Sequence, residues 1–361
     1  MAEIKPFRAL RYDERRAGPL ERLVAPPFDV IGPAERDDYL ARSPYNVVRL
    51  TLPDSEAEAG LLFHDWQTEG ALVAEKRGFW ALSQDYVGPD GVARTRTGLV
   101  GSLRVEPYET GAVLPHELTH RGPKEGRLRL LREVRAQLEP IFLLYEGPQP
   151  FAVPHRAPDI EAEGARLWRL DDDGAIAGGF VGKPLLIADG HHRYETAVAY
   201  HEEVGTPESA YMMVVLVSLE DPGLTIFPTH RIFSAAPETR LDGETRAAPA
   251  EALAELNDLP ADRAAAVVYE RGHTELAVDG AGELDVRLVD RLGQEGIAYT
   301  PDWQEAVRAV DSGQAAVAVL MRPTPIEDVF AVAKRGETMP PKSTYFYPKL
   351  LSGLLFHPLE P

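Results

Sequence analysis

One stretch near the middle of the chain carries side chains that can bind an anion. Asp189 and Gly190 end an apolar run, and residues of helical composition follow them. This order predicts a strand, a tight turn and a helix. Glycine lets a ligand approach the backbone, Asp189 can cap the helix, and the N–H groups of a first helical turn attract anions. His191, His192 and Arg193 stand at the same end, so we expect a phosphate or carboxylate ligand there.

The composition is that of a soluble chain with an acidic surface. Its 361 residues are 44% hydrophobic, enough for two or three domains, and the formal net charge is −19. That charge disfavours binding along a nucleic acid but allows a local basic pocket. The absence of cysteine excludes disulfides, thiolate zinc sites and cysteine nucleophiles. Because no signal-peptide core or membrane-length apolar run is visible, we expect a cytoplasmic protein with no membrane partner.

A second polar stretch follows Pro115 and spells His-Glu-x-x-His with His116, Glu117 and His120. This is the zinc-protease pattern, and Glu139 stands at a workable distance for a third ligand. The pattern requires a helix with both imidazoles on one face, whereas the flanking prolines leave room for barely one turn. We therefore favour a polar loop over a pocket, with Glu117 in the site, and rank a zinc-dependent hydrolase last.

Lysine is scarce, and its positions draw attention to two further polar stretches. The chain has seven lysines, one in the loop after His116 and two in the aromatic stretch 339–350. Loops beside strand and helix ends commonly build binding sites. A structural strap packed on the core is the alternative for the C-terminal stretch. We expect the following side chains to converge on the pocket of Asp189: Lys124, His230, Arg231, Lys342, Ser343 and Thr344.

The remaining patterns predict a mixed α/β or α+β fold. Residues 45–50 are typical of a strand, and 79–86 with 92–105 predict an antiparallel hairpin. Helical and strand patterns alternate after about residue 235, which indicates a smaller α/β module. We place domains at 1–146, 147–235 and 236–361, with the tail returning to the site. The oligomeric state stays open.

Seven segments, taken together, resemble the family known as domain of unknown function 1015. In chain order they are APPFDVI, YNVVRL, PHELTHRGPKEGRLRLL, PIFLLYE, IADGHHRYETA, FPTHR and MPPKSTYFYPKL. The resemblance extends over essentially the whole chain. Within it, DGHHR is similar to the box of the ParB/sulfiredoxin superfamily, whose partition proteins, sulfiredoxins and free-serine kinases place nucleotide phosphates on that turn. This shorter resemblance, over about 180–235, implies a ParB/sulfiredoxin-like core.

The resemblance also implies roles for individual residues. The turn 190–193 matches the phosphate-binding turn, and Asp189 matches an aspartate that works near the transferred phosphoryl group with an upstream glutamate. Glu117 is our choice for that glutamate, although it lies farther from Asp189 than expected, and His191 is a further catalytic candidate. Sulfiredoxin chemistry needs a cysteine that this chain lacks, and the acidic C-terminal half shows no DNA-binding helical domain.

We therefore favour two functions. The first is a kinase that phosphorylates a small hydroxylated metabolite, such as free serine, with ATP or ADP as the nucleotide. The second is a nucleotide-binding switch without phosphotransfer, which would use the same residues. Both imply a nucleotide and a small molecule as partners, and both leave the need for Mg²⁺ open.

Overall fold

The computed structural model describes residues 2–117, 121–171, 174–279 and 284–360. Within these residues the fold is mixed α+β. The helices are α1 (Glu14–Ala17), α2 (Pro33–Arg42), α3 (Val48–Thr51), α4 (Glu56–Thr68), α5 (Arg121–Val134), α6 (Ala175–Gly178), α7 (His191–Val204), α8 (Pro249–Asp258), α9 (Asp285–Asp290), α10 (Trp303–Asp311) and α11 (Ile326–Lys334). Short 3₁₀ helices cover Leu20–Arg22, Phe28–Val30 and Tyr108–Thr110.

The strands are short except in the central sheet. They are β1 (Ile4–Lys5), β2 (Leu10–Tyr12), β3 (Leu72–Ala74), β4 (Phe79–Val87), β5 (Ala93–Arg104), β6 (Val113–Leu114), β7 (Ala136–Gln137), β8 (Ile141–Tyr145), β9 (Ile160–Ala162), β10 (Ala165–Leu170), β11 (Leu185–Asp189), β12 (Tyr211–Ser218), β13 (Thr225–Phe227), β14 (His230–Phe233), β15 (Glu244–Arg246), β16 (Ala265–Glu270), β17 (His273–Val278), β18 (Ile297–Thr300), β19 (Val317–Leu320), β20 (Tyr345–Tyr347) and β21 (His357–Pro358).

The chain forms two compact units. The first contains Met1–Val87, Ala93–Leu224 and Pro348–Pro361, and the second contains Gly88–Val92 and Thr225–Tyr347. The predicted boundary after residue 146 falls inside the first unit, because β8 and β12 on either side of it are paired. The C-terminal segment from Pro348 also belongs to this first unit.

A nine-stranded mixed sheet is the centre of the first unit. Its order is β6-β11-β8-β12-β5-β4-β10-β9, with β1 paired to β5. β8 and β12 are nearly continuous apolar runs and are almost entirely buried, as expected for strands covered on both faces. β11 runs parallel to β6 and antiparallel to β8. One core cluster joins this sheet to α7 through Tyr194 and Ala197, and α5 contacts both α4 and α7.

The second unit has a sheet of its own. Six antiparallel strands lie in the order β15-β17-β16-β19-β14-β18, and β13 pairs with β20. Its core is built from α8, α10 and the buried faces of β16 and β19.

The predicted antiparallel hairpin is confirmed, because β4 and β5 pair over Trp80–Val87. The predicted strand at 45–50 is wrong, since Val48–Thr51 form the short helix α3. Asn46 explains the difference: its side-chain oxygen accepts the Val48 N–H at 3.0 Å and starts a helical turn.

Candidate functional site

The strand, turn and helix predicted around Asp189 are present. β11 ends at Asp189, Gly190 follows with φ of +102°, and α7 begins at His191. Gly190 is required on two grounds, because its φ is left-handed and because a Cβ there would lie 2.5 Å from Ile141 Cγ2. The predicted capping role of Asp189 is wrong. Gly190 is the N-cap residue and no side chain caps the helix, since the Asp189 carboxylate is engaged by cations instead.

Asp189 lies between two cations. Its Oδ2 accepts from Arg193 Nη2 at 2.6 Å, one helical turn on, and its Oδ1 contacts the Lys349 ammonium. The Asp189 side chain is only 15% exposed. Burial by itself would raise the pKa of this carboxyl, but Lys349 and then Arg193 outweigh it and lower the pKa to about 2. Asp189 is therefore ionised at neutral pH.

Arg193 is held by protein atoms on both sides. Besides Asp189, its guanidinium donates to the Pro140 carbonyl at 2.5 Å, and its side chain is 10% exposed. Burial acts to lower the pKa of Arg193, but the carboxylates of Asp189 and Glu139 raise it above its usual value. This geometry favours a role for Arg193 in positioning Asp189, and it does not favour direct contact between Arg193 and a ligand.

His116 and His191 form a buried pair at the same strand end. His116 follows β6, which runs beside β11, and its Nδ1 lies 2.7 Å from the Ile187 carbonyl. Because a carbonyl only accepts, this Nδ1 carries the proton. The His116 backbone N–H donates to His191 Nε2 at 3.3 Å, and the rings meet edge to face at 4.7 Å. Burial lowers the pKa of both imidazoles, so both are neutral at pH 7.

Two further predicted residues lie in the first unit beside these groups. Glu117 follows His116, and its Oε1 is 3.9 Å from the His116 Nε2 while a third of its side chain is exposed. Lys124, on α5, donates to Glu195 on α7 at 2.5 Å. Lys124 therefore joins two helices. His192 is partly buried in the first turn of α7.

The zinc pattern is not assembled among the described residues. No group of three or more His, Asp or Glu that could hold a metal ion occurs there, and His120 lies outside them. Glu139, the expected third ligand, accepts from the Phe28 N–H at 3.0 Å and from Ser352 Oγ at 2.7 Å.

The other predicted site residues belong to the second unit. His230 Nδ1 accepts the Met321 N–H at 3.0 Å, and burial lowers the pKa of His230 to about 4. Arg231 is buried in the same strand and donates to the Thr229 carbonyl at 2.8 Å. Both residues therefore serve the sheet of the second unit.

The predicted lysine and hydroxyls of the C-terminal stretch lie in a turn of this unit. Ser343 is buried and donates to the Pro340 carbonyl at 2.6 Å, whereas Lys342 is exposed and Thr344 is partly buried. Their expected approach to Asp189 stays a prediction.

Sequence reasoning missed Lys349, which supplies the second cation on Asp189. It also missed the buried Arg96, whose Nη2 donates to Gln84 at 2.6 Å and to the Pro348 carbonyl beside Lys349 at 2.8 Å. The scarcity of lysine was an available signal for Lys349, but it pointed equally to Lys342. No pattern in the sequence singled out Arg96.

Chemically, the site combines a helix start with two cations that are held on Asp189. Two cations share one carboxylate next to the first turn of α7, whose N–H groups carry the positive end of the helix dipole. Such an arrangement suits an anion. Among the residues described, no helix is long and apolar enough to cross a membrane.

The fold is mixed α+β, and at its strand-to-helix turn Asp189 is paired with two cations. The chain belongs to the family described as Protein of unknown function (DUF1015), which matches residues 4–293. A comparison with curated proteins found no match.

Several solved structures are similar to this chain at low identity. A mutant free serine kinase in complex with AMP is 17% identical with a TM-score of 0.40, over 67% of this chain and 89% of that one. A conserved hypothetical protein from Pyrococcus furiosus is 16% identical with a TM-score of 0.35, over 67% and 92%. SbnI with a C-terminal truncation, from Staphylococcus aureus, is 12% identical with a TM-score of 0.38, over 69% and 85%.

Proposed function

We propose that this protein binds a nucleotide by its phosphates at the start of α7 and transfers a phosphoryl group to a small hydroxylated metabolite such as free serine. ATP or ADP would be the donor. The observation that carries the proposal is the turn at Gly190, where a helix start lies beside two cations fixed on one carboxylate. The similarity of DGHHR to the box of free-serine kinases supports both the kinase class and a ParB/sulfiredoxin-like core.

Phosphoryl transfer depends mainly on positioning and on neutralising charge. In this proposal the first-turn N–H groups of α7 hold the phosphate oxygens, and Arg193 and Lys349 offset their charge. The buried His116 and His191 fix the loop that carries Glu117. Asp189 stays ionised, since its pKa is about 2, and orients the two cations.

Glu117 is the proposed base for the acceptor hydroxyl. Its side chain is a third exposed, so a small substrate can reach it, whereas Glu139 is buried and bound by Phe28 and Ser352. A carboxylate that orients a hydroxyl and accepts its proton typically contributes a factor of about 10²–10⁴ to the rate.

A nucleotide-binding switch without phosphotransfer is the second candidate. The observation that favours it is that cations hold both oxygens of Asp189, so of the two carboxylates that the kinase resemblance implies, Glu117 alone is left to engage an acceptor. In this alternative the same turn binds nucleotide, and binding shifts the population of conformations.

Calorimetry with ADP and phosphorus NMR of ATP or ADP mixed with free serine test both candidates. A new phosphate ester supports the kinase, while ADP binding without any ester from serine or related hydroxy compounds supports the switch. Glu117→Gln should bind ADP but form little ester, and Glu202→Gln, an exposed change near the far end of α7, is its matched control. Absence of nucleotide binding in the unaltered protein would overturn both candidates.

A further inference from the structure

Lys349 contacts Asp189 from beyond residues 4–293, the part of the chain that the family match covers. We propose that Lys349 is a direct phosphate ligand, stored on Asp189 until the nucleotide arrives. This inference rests on the proposed function and deepens it, because it assigns a binding residue to the C-terminal segment. We call residues 348–360 the C-terminal strap.

The backbone around Lys349 is fixed on both sides. The carbonyl of Pro348 accepts from the buried Arg96 at 2.8 Å. On the other side, Ser352 forms a bridge with Ala25 and donates its hydroxyl to Glu139 at 2.7 Å. Farther along the strap, β21 pairs with β7. The strap is therefore held in place by contacts that do not involve the side chain of Lys349.

The two cations on Asp189 differ in how accessible their side chains are to a ligand. The Lys349 side chain is 21% exposed, whereas that of Arg193 is 10% exposed. Lysine carries a compact charge on a flexible four-carbon stem, while the arginine fork is rigid. Lys349 is thus the cation that can turn toward a phosphate.

Because Asp189 is paired with two cations, Lys349 can exchange Asp189 for a phosphate. When the Lys349 ammonium rotates to the phosphate, Arg193 still holds Asp189 Oδ2 at 2.6 Å. The buried carboxylate then keeps a charged partner, and the high cost of an unpaired buried charge does not arise. A single ion pair at this position would not allow the exchange.

Calorimetry with ADP tests the assignment on three variants of the full chain. Lys349→Met should weaken ADP binding by about 10- to 100-fold, the loss of one charge-assisted hydrogen bond, and Lys349→Arg should recover only part of it, because the rigid guanidinium leaves Asp189 less readily. Lys76→Met, a change of an exposed lysine in the same unit, should leave the affinity unchanged. A folded Lys349→Met protein with unaltered ADP affinity would overturn the inference while leaving the proposed function intact.

Acetylation of the unaltered protein keeps the test independent of whether the variants fold. Acetic anhydride modifies exposed lysines, and mass spectrometry gives the rate at each one. Saturating ADP should slow acetylation of Lys349 and leave Lys76 unaffected. If ADP binds by calorimetry but the acetylation of Lys349 is unchanged or faster, the lysine is only a structural clamp. If ADP does not bind at all, it is the proposed function that fails.

Discussion

Replacing Asp189 by Asn should destabilise the first unit, because it removes the charge that two cations share. The lowering of the Asp189 pKa from 3.8 to about 2 favours the ionised form by about 2 kcal/mol. Breaking a buried ion pair on one side typically costs about 3–5 kcal/mol. Lys349 is more exposed to water than Arg193 and can regain hydration, so we expect a loss of about 2–3 kcal/mol.

Scanning calorimetry at pH 7 measures this loss. For a unit of this size, about 2–3 kcal/mol corresponds to a fall in melting temperature of about 5–10 °C. Asp54→Asn is the control, since Asp54 pairs with Arg36 at the surface with its own side chain 78% exposed. That change should cost less than about 1 kcal/mol.

The pH dependence supplies a second check. The Asp189 pKa is lower in the folded protein, so its contribution is fully present above pH 4 and is lost as the pH falls from about 4 to about 2. The difference between the unaltered protein and Asp189→Asn should therefore be constant from about pH 5 to 8 and shrink below about pH 4. Equal melting temperatures at pH 7 would refute the account of Asp189 as the anchor of both cations.

Three more variants test the remaining contacts. Gly190→Ala should lower the free energy of unfolding by about 2–4 kcal/mol, since it combines a positive φ with a clash against Ile141. In Gly205→Ala the new Cβ meets nothing within 4 Å, so urea unfolding should show a loss of only about 1 kcal/mol. Glu117→Gln should keep ADP affinity within about threefold and slow ester formation by about 10²–10⁴, as followed by phosphorus NMR. Burial lowers the pKa of His357 from 6.5 to about 3, so stability falls as the pH drops below 6.5, by about 2 kcal/mol at pH 5. His357→Gln should remove this share of the dependence in melting curves from pH 7 to 5, while the buried His116 and His191 keep the rest, and an unchanged slope would contradict it.

Local signals in the sequence were sufficient for the elements that carry the site. An apolar run that stops at Asp189-Gly190 predicted a strand, a turn and a helix, and β11, Gly190 and α7 confirm it. The same reasoning failed for the helix cap and for residues 45–50. In both cases a side chain has a partner that composition does not reveal, the cations for Asp189 and the Val48 N–H for Asn46.

Contacts between distant parts of the chain were beyond the reach of sequence patterns. Lys349 and Asp189 are separated by 160 residues, and no periodicity records that they meet. Lys342 looked equally suitable, because scarcity identifies a residue type and not a position in space. The buried state of His230 likewise follows from the pairing of β14 with β18 and β19, which the sequence does not specify.

The C-terminal strap also sets the order in which the site can be completed during synthesis. Asp189 and Arg193 leave the ribosome close together, but Lys349 follows Asp189 by 160 residues. At about 5–20 residues per second, the interval is on the order of 10–30 s. During that time the Thr225–Tyr347 part of the second unit emerges, while Asp189 has Arg193 and lacks Lys349. The nascent chain therefore passes through a stage in which most of the first unit has been made and Asp189 has one of its two cations available.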